Sequence, residues 1–128
     1  MMGARPLIAV VDDEESVRRA LARMLNASQF DVEVFASGQE FLDSLTTRLP
    51  DCAILDYKMP GLTGRDVQRQ LALAQTPVPV IVVTAHDQPA LREQCLADGA
   101  AGYLAKPLHR ERLVGLIGDA MRRRTATN

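Results

Sequence analysis

Cysteine is scarce: only Cys52 and Cys95 are present, far apart and with no CxxC or Cys/His spacing around them. A thiolate metal site and a disulfide scaffold are therefore not indicated, and both residues read as small hydrophobes in a reduced setting. No apolar run approaches the roughly 20 residues that a membrane span requires. Met1 to Pro6 carries one arginine and no apolar core, so it does not read as a signal peptide. Charge of one sign is lacking as well, since the net charge is −1 over 128 residues. No strong field points to nucleic acid or a membrane surface, and the expected location is the cytoplasm. There is no internal repeat, low-complexity tract or linker-length break, so 128 residues at 47% hydrophobic and 24% charged imply one domain over residues 1–128 with a single core. The charges are uneven: residues 1–64 hold six basic and ten acidic side chains (−4), and residues 65–128 hold nine and six (+3). Much of the basic surplus is the run Arg122, Arg123, Arg124, read as a solvated helix end.

What is present is a regular alternation. Leu7 to Val11 is a short apolar strand candidate, followed by Val17, Ala20, Leu21, Met24 and Leu25 at helical spacing. Val32, Val34 and Phe35 alternate as an edge strand does. Ser37 with Glu40 forms a capping box for a second helix carrying Phe41, Leu42 and Leu45. Cys52 to Asp56 is a third strand, and a helix with Val67, Leu71 and Ala74 on one side begins near Thr63 or Gly64. Val80 to Val83 is a fully apolar central strand running into Thr84, Ala85 and His86. A fourth helix starts near Gln88, with Pro89 in its first turn, and stops around Asp98 and Gly99. Gly102 to Ala105 is a fifth strand, and Leu113, Leu116, Ile117, Ala120 and Met121 trace a fifth helix. Five strand–helix alternations predict an α/β fold, a parallel sheet with helices on both faces.

Ala53 to Gly64 is the stretch around which the rest is organised. Its apolar run stops at Asp56, and Pro60, Gly61 and Gly64 break the structure soon after. An aspartate there either caps the following turn or sits where ligands bind, at the carboxyl end of a parallel strand. A second acidic cluster weighs on that choice, because Asp12, Asp13, Glu14 and Glu15 directly follow the first strand. Glu14 and Glu15 read as the acidic first turn of a helix. If the two strands are neighbours, Asp12, Asp13 and Asp56 meet at one edge. Each ionised pair would then repel by roughly 3 kcal/mol at about 5 Å and an effective dielectric of about 20. A cation relieves this, and hard oxygen ligands with room for water suit Mg²⁺. Lys106 follows the fifth strand and precedes Pro107, which disfavours helix at Lys106 and can adopt the cis form. It is either a surface lysine or a phosphate or carboxylate partner at the same edge.

Taken together, Asp12 and Asp13 after a strand, Asp56 with Met59, Pro60 and Gly64, Thr84 with Ala85, and Lys106 with Pro107 resemble the receiver (response regulator) domain of two-component signalling. The resemblance runs from Leu7 to about Arg122 and implies five helices around a five-stranded sheet of order 2-1-3-4-5, a flavodoxin-like fold. It implies a phosphorylation-dependent switch rather than an enzyme that turns over a metabolite. Asp56 would accept a phosphoryl group from a sensor histidine kinase or phosphotransfer protein. Asp13, Asp56 and the backbone carbonyl of Lys58 would hold Mg²⁺ directly, and Asp12 largely through water. Thr84 and Lys106 would engage phosphoryl oxygens. Tyr103 matches an aromatic switch that swings inward when Thr84 moves, or is an ordinary half-buried strand aromatic. Lys58 and His86, two residues past Asp56 and Thr84, would tune dephosphorylation, or are solvent-facing loop side chains. The resemblance also implies kinase contact through the first helix with its arginines, and output or homodimerisation through the fourth helix, fifth strand and fifth helix. With no room for a DNA-binding domain before Asn128, the chain is expected to be a stand-alone receiver or one excised from a longer, transcription-type regulator.

A Mg²⁺-dependent phosphatase or phosphotransferase of small molecules with an Asp nucleophile is the competing class. Lys58 stands where such an enzyme would carry a second aspartate as acid, and no cap domain is inserted. A flavodoxin-like cofactor binder has less support, because acid rather than a glycine- or Ser/Thr-rich phosphate loop follows the first strand.

Overall fold

A computed structural model describes residues 5–126, and side chains as far as Arg123. Met1 to Ala4 of the N-terminal stretch, and the Arg124 side chain of the terminal arginine run, lie outside the described residues. The elements are β1 (Leu7–Val11), α1 (Glu15–Ala27), β2 (Asp31–Phe35), α2 (Gly38–Ser44), β3 (Cys52–Asp56), α3 (Gly64–Leu73), β4 (Val80–Thr84), α4 (Pro89–Ala97), β5 (Gly102–Ala105) and α5 (Arg110–Ala126). All strand pairs are parallel, in the order β2-β1-β3-β4-β5.

Because side chains alternate across a strand, each strand feeds two separate cores. Ile8, Val10, Cys52, Ile54, Ile81, Val83 and Leu104 face one side, where Leu21 and Leu25 of α1 and Leu113, Ile117 and Ala120 of α5 close over them. Ala9, Val11, Ala53, Leu55, Val80, Val82 and Tyr103 face the other, under Phe41 of α2, Val67 and Leu71 of α3 and Cys95 of α4. The three central strands are buried at every residue, which is why they read as unbroken apolar runs. Each fully buried Ile or Leu contributes about 1.5–3 kcal/mol.

Local details differ from expectation at four places. On the edge strand β2, Val34 is 46% exposed, so the alternation there is incomplete. Ala20 and Ala74, placed on apolar helix faces by spacing, are exposed, and α3 instead buries Gln68 beside Val67 and Leu71. Ser37 does accept from the Glu40 amide at 3.1 Å, but Glu40 turns its carboxylate to the Ala36 amide, so only half of the expected box forms. The reciprocal box lies instead at α3, where Thr63 and Asp66 each accept the other's backbone N–H. Among the described residues no helix is long and apolar enough to cross a membrane.

Candidate functional site

The alternation that fills the cores also selects which polar groups meet at the strand ends. Along β1 and β3, Ile8, Val10 and then Asp12, and Cys52, Ile54 and then Asp56, lie on the α1/α5 side, as do Leu104 and then Lys106. The three converge: Lys106 Nζ lies 3.0 Å from Asp12 Oδ2 and 3.3 Å from Asp56 Oδ1. Carboxylate oxygens of Asp12, Asp13 and Asp56 all lie within 4.8 Å of one another, with Asp12 and Asp56 buried and Asp13 exposed. This grouping can hold a metal ion. The Lys106–Pro107 peptide is cis.

Burial leads the electrostatics of the site. Asp56 is 5% exposed, and its removal from water, followed by the charge of Asp12, pushes its carboxyl up to about 6 against the downward pull of Lys106. The repulsion between aspartates expected from the sequence is present and comes second to desolvation. Burial also draws Lys106 down, but its hydrogen bond to Asp12 and the charges of Asp56 and Asp12 outweigh this, and the ammonium titrates above the usual lysine range. The site thus sets the Lys106 ammonium between the carboxyl groups of Asp12 and Asp56.

Asp12 is held at each polar atom. Its amide donates to the Phe35 carbonyl at 3.1 Å, its Oδ1 accepts from the Glu14 amide at 2.9 Å, its Oδ2 accepts from Lys106, and its carbonyl accepts from Arg18 Nη1 at 2.8 Å. The β3–α3 loop is fixed by backbone as well. Gly61 turns at φ +76°, and Gly64 donates to the Tyr57 carbonyl at 2.9 Å. A Cβ on Gly64 would lie 3.1 Å from both the Asp56 carbonyl oxygen and Tyr57 Cα, so any other residue at the start of α3 would press on the Asp56 backbone by a few tenths of an ångström.

Thr84 ends β4 one residue beyond Val83, the register partner of Asp56, and its hydroxyl accepts from the His86 amide at 3.0 Å. Tyr103, on the α2/α3/α4 side, is 5% exposed and donates its hydroxyl to Asp87 Oδ1 at 3.0 Å, with the Arg92 guanidinium 6.0 Å from its ring centre. Burial and the Asp87 carboxylate push its phenol up to about 12. Lys58 and His86 are exposed in the loops after β3 and β4. Of the first-helix arginines, Arg18 turns to the Asp12 carbonyl and Arg19 pairs with Glu15 at 3.2 Å. Asp87 and Arg18 were missed as site residues; their partners are Tyr103, 16 positions along, and a backbone carbonyl. No spacing rule connects such pairs. A groove of about 250 Å³ reaches the site, lined by Ser16, apolar side chains of α1, Lys106, Pro107 and Leu108.

Comparison with known proteins gives a consistent outcome. The family model described as the response regulator receiver domain matches residues 8–118. The Response regulator MprA of Mycolicibacterium vanbaalenii is 39% identical over 118 residues, which is 92% of this chain and 51% of that protein. The Transcriptional regulatory protein FixJ of Bradyrhizobium diazoefficiens is 33% identical over 115 residues, 90% of this chain and 56% of that one. This chain therefore spans about half the length of these relatives. Among solved structures, a receiver domain from Clostridium thermocellum superposes with a TM-score of 0.89 at 28% identity, covering 96% of this chain and 99% of that one. The signal receiver domain of a LuxO repressor protein from Vibrio parahaemolyticus gives 0.90 at 25%, covering 96% and 95%.

Proposed function

This chain belongs to the response regulator receiver domain family of two-component systems, and we propose that Asp56 is its phosphoacceptor, taking a phosphoryl group from a phosphohistidine on a sensor histidine kinase or phosphotransfer protein. The observation that carries this is the buried Asp56 carboxylate at a parallel strand end, faced by Lys106 at 3.3 Å and by two further aspartates. An Asp56 oxygen attacks phosphorus, the phosphorus–nitrogen bond breaks, and its electron pair leaves with the imidazole nitrogen, giving an acyl phosphate. Lys106 then pairs with a phosphoryl oxygen, and the Thr84 hydroxyl donates to another. The hard-oxygen donors gathered here fit Mg²⁺, which Asp13, Asp56 and the Lys58 carbonyl would hold, with Asp12 acting through water. When bound, Mg²⁺ supplies neutralisation of the phosphoryl charge.

A receiver unit of about Leu7 to Arg122 would pass the signal through the α4–β5–α5 face, with Tyr103 as the responding aromatic. It would serve a transcriptional output or act as a stand-alone cytoplasmic receiver, and that face would also support a homodimer. The apolar groove between α1 and Pro107 suits a protein donor better than a polar metabolite, which disfavours the small-molecule phosphatase reading. Lys58 and His86 border the acyl phosphate and set its lifetime, and an unchanged decay rate in both alanine variants would remove that assignment. Labelling with acetyl phosphate or a phosphorylated kinase, at one phosphoryl per chain and abolished in Asp56→Asn, tests the central step. Multiple turnover of a phosphate ester, or full labelling of the asparagine variant, would overturn it.

A further inference from the structure

Asp13 is the exposed member of the carboxylate group, so its place depends on the backbone that presents it. The peptide plane leading into Asp13 contains the Asp12 carbonyl, because the carbonyl of one residue and the amide of the next are coplanar. That carbonyl accepts from Arg18 Nη1 at 2.8 Å, a charge-assisted bond reaching back from the first turn of α1. Arg18 is half-buried, whereas Arg19, one residue on, is exposed and spends its charge on Glu15.

We infer that Arg18 is a positioning residue for ion binding: by fixing the Asp12–Asp13 peptide plane it aims the Asp13 carboxylate at the oxygens of Asp12 and Asp56. This rests on the proposed reading of that group as a Mg²⁺ site. Two effects of the guanidinium oppose each other. Its positive charge beside the carboxylates repels a cation, and its hydrogen bond organises them. If charge alone mattered, removing it would tighten Mg²⁺ binding. Positioning requires the reverse, and partners that orient metal ligands commonly carry a tenfold effect or more on affinity.

Calorimetric titration of Mg²⁺ into the whole chain tests this with wild type, Arg18→Met, Arg18→Lys and Arg19→Met. Affinity is expected to fall about tenfold in Arg18→Met, to recover in part in Arg18→Lys, which keeps one donor, and to hold or tighten in Arg19→Met. Thermal unfolding in metal-free buffer shows whether each variant folds, and Arg18→Lys decides the matter if Arg18→Met does not. Unchanged or tighter binding in Arg18→Met, or wild-type affinity in Arg18→Lys when Arg18→Met is unfolded, overturns the inference. So does a rise in KM for a phosphorylated kinase at unchanged Mg²⁺ affinity, which would make Arg18 a docking residue. Absence of Mg²⁺ binding by wild type would overturn the proposed function itself, and this inference with it.

Discussion

Replacing Asp56 by asparagine raises the stability of the metal-free protein at pH 8, because it removes a carboxylate that the fold ionises at a cost. The Asp56 pKa rises from 3.8 to about 6 on folding. At about 1.4 kcal/mol per unit, that is about 3 kcal/mol of penalty once the group is ionised in both states. The sign follows from proton binding. Between about pH 4 and 6 the folded state holds the proton more tightly than the unfolded chain, so the contribution favours folding at low pH and is lost as pH rises through 6. Asparagine gives up the 3.3 Å ion pair with Lys106, but Lys106 keeps Asp12 at 3.0 Å. A net gain of roughly 2 kcal/mol is therefore expected at pH 8, seen as a urea midpoint higher by about 1 M. The assay is urea unfolding in EDTA for both proteins from pH 4 to 8. Carboxylates outside the site titrate alike in both chains and cancel in the difference, so the gap closes to under about 1 kcal/mol by pH 4. Adding Mg²⁺ at pH 8 narrows it by stabilising wild type in particular. An asparagine variant no more stable than wild type at pH 8, or a gap that ignores pH, would refute the electrostatic account of the site.

Three further outcomes follow from the same geometry. Lys106→Met strands two buried carboxylates and is expected to cost about 2–3 kcal/mol in metal-free urea unfolding, with the Asp56 pKa rising further. Thr63→Ala removes the side-chain acceptor of the capping box and lowers stability by about 1 kcal/mol, read as a fall in thermal midpoint with the β3–α3 loop loosened in amide exchange. Asp87→Asn takes away the anion that Tyr103 donates to, so the Tyr103 transition in an ultraviolet titration, identified by its loss in Tyr103→Phe, moves down from about 12.

The sequence was most legible where burial is extreme. Leu7–Val11, Cys52–Asp56 and Val80–Thr84 are buried at every residue, so their apolar runs carry their own boundaries. The aspartates were readable for the complementary reason: a carboxylate ending a fully buried strand conflicts with the run before it. The half-exposed elements were less clear. Val34, Ala20 and Ala74 fit their patterns yet lie in solvent, because periodicity marks a face without saying whether another element covers it. Glu40 had the right spacing for a reciprocal cap, but the Ala36 amide took its carboxylate. Gly64 was read both as a breaker and as a start for the third helix, and it is the first residue of α3. Its closeness to the Asp56 backbone is an approach between elements that leaves no trace in local spacing.

The two-sided sheet gives the site a division of labour that the proposed function uses. Asp12, Asp56 and Lys106 continue the alternation that faces α1 and α5, so the charged chemistry gathers there. Val82, the register partner of Tyr103, and Thr84 continue the alternation that faces α2, α3 and α4, where Tyr103 packs and reaches Asp87 in the loop before α4. The sides touch through register, since Asp56 lies beside Val83 and Thr84 follows it directly. Phosphate at Asp56 would add charge on one side while drawing on a hydroxyl whose present partner, the His86 amide, belongs to the loop on the other. That loop is tied at one end by Thr84 and near the other by Tyr103, and only Cys95 of α4 is fully buried. A shift of Thr84 would therefore act on the loop that leads into α4, where Cys95 is the one fully buried residue of the helix, rather than on the α1/α5 core.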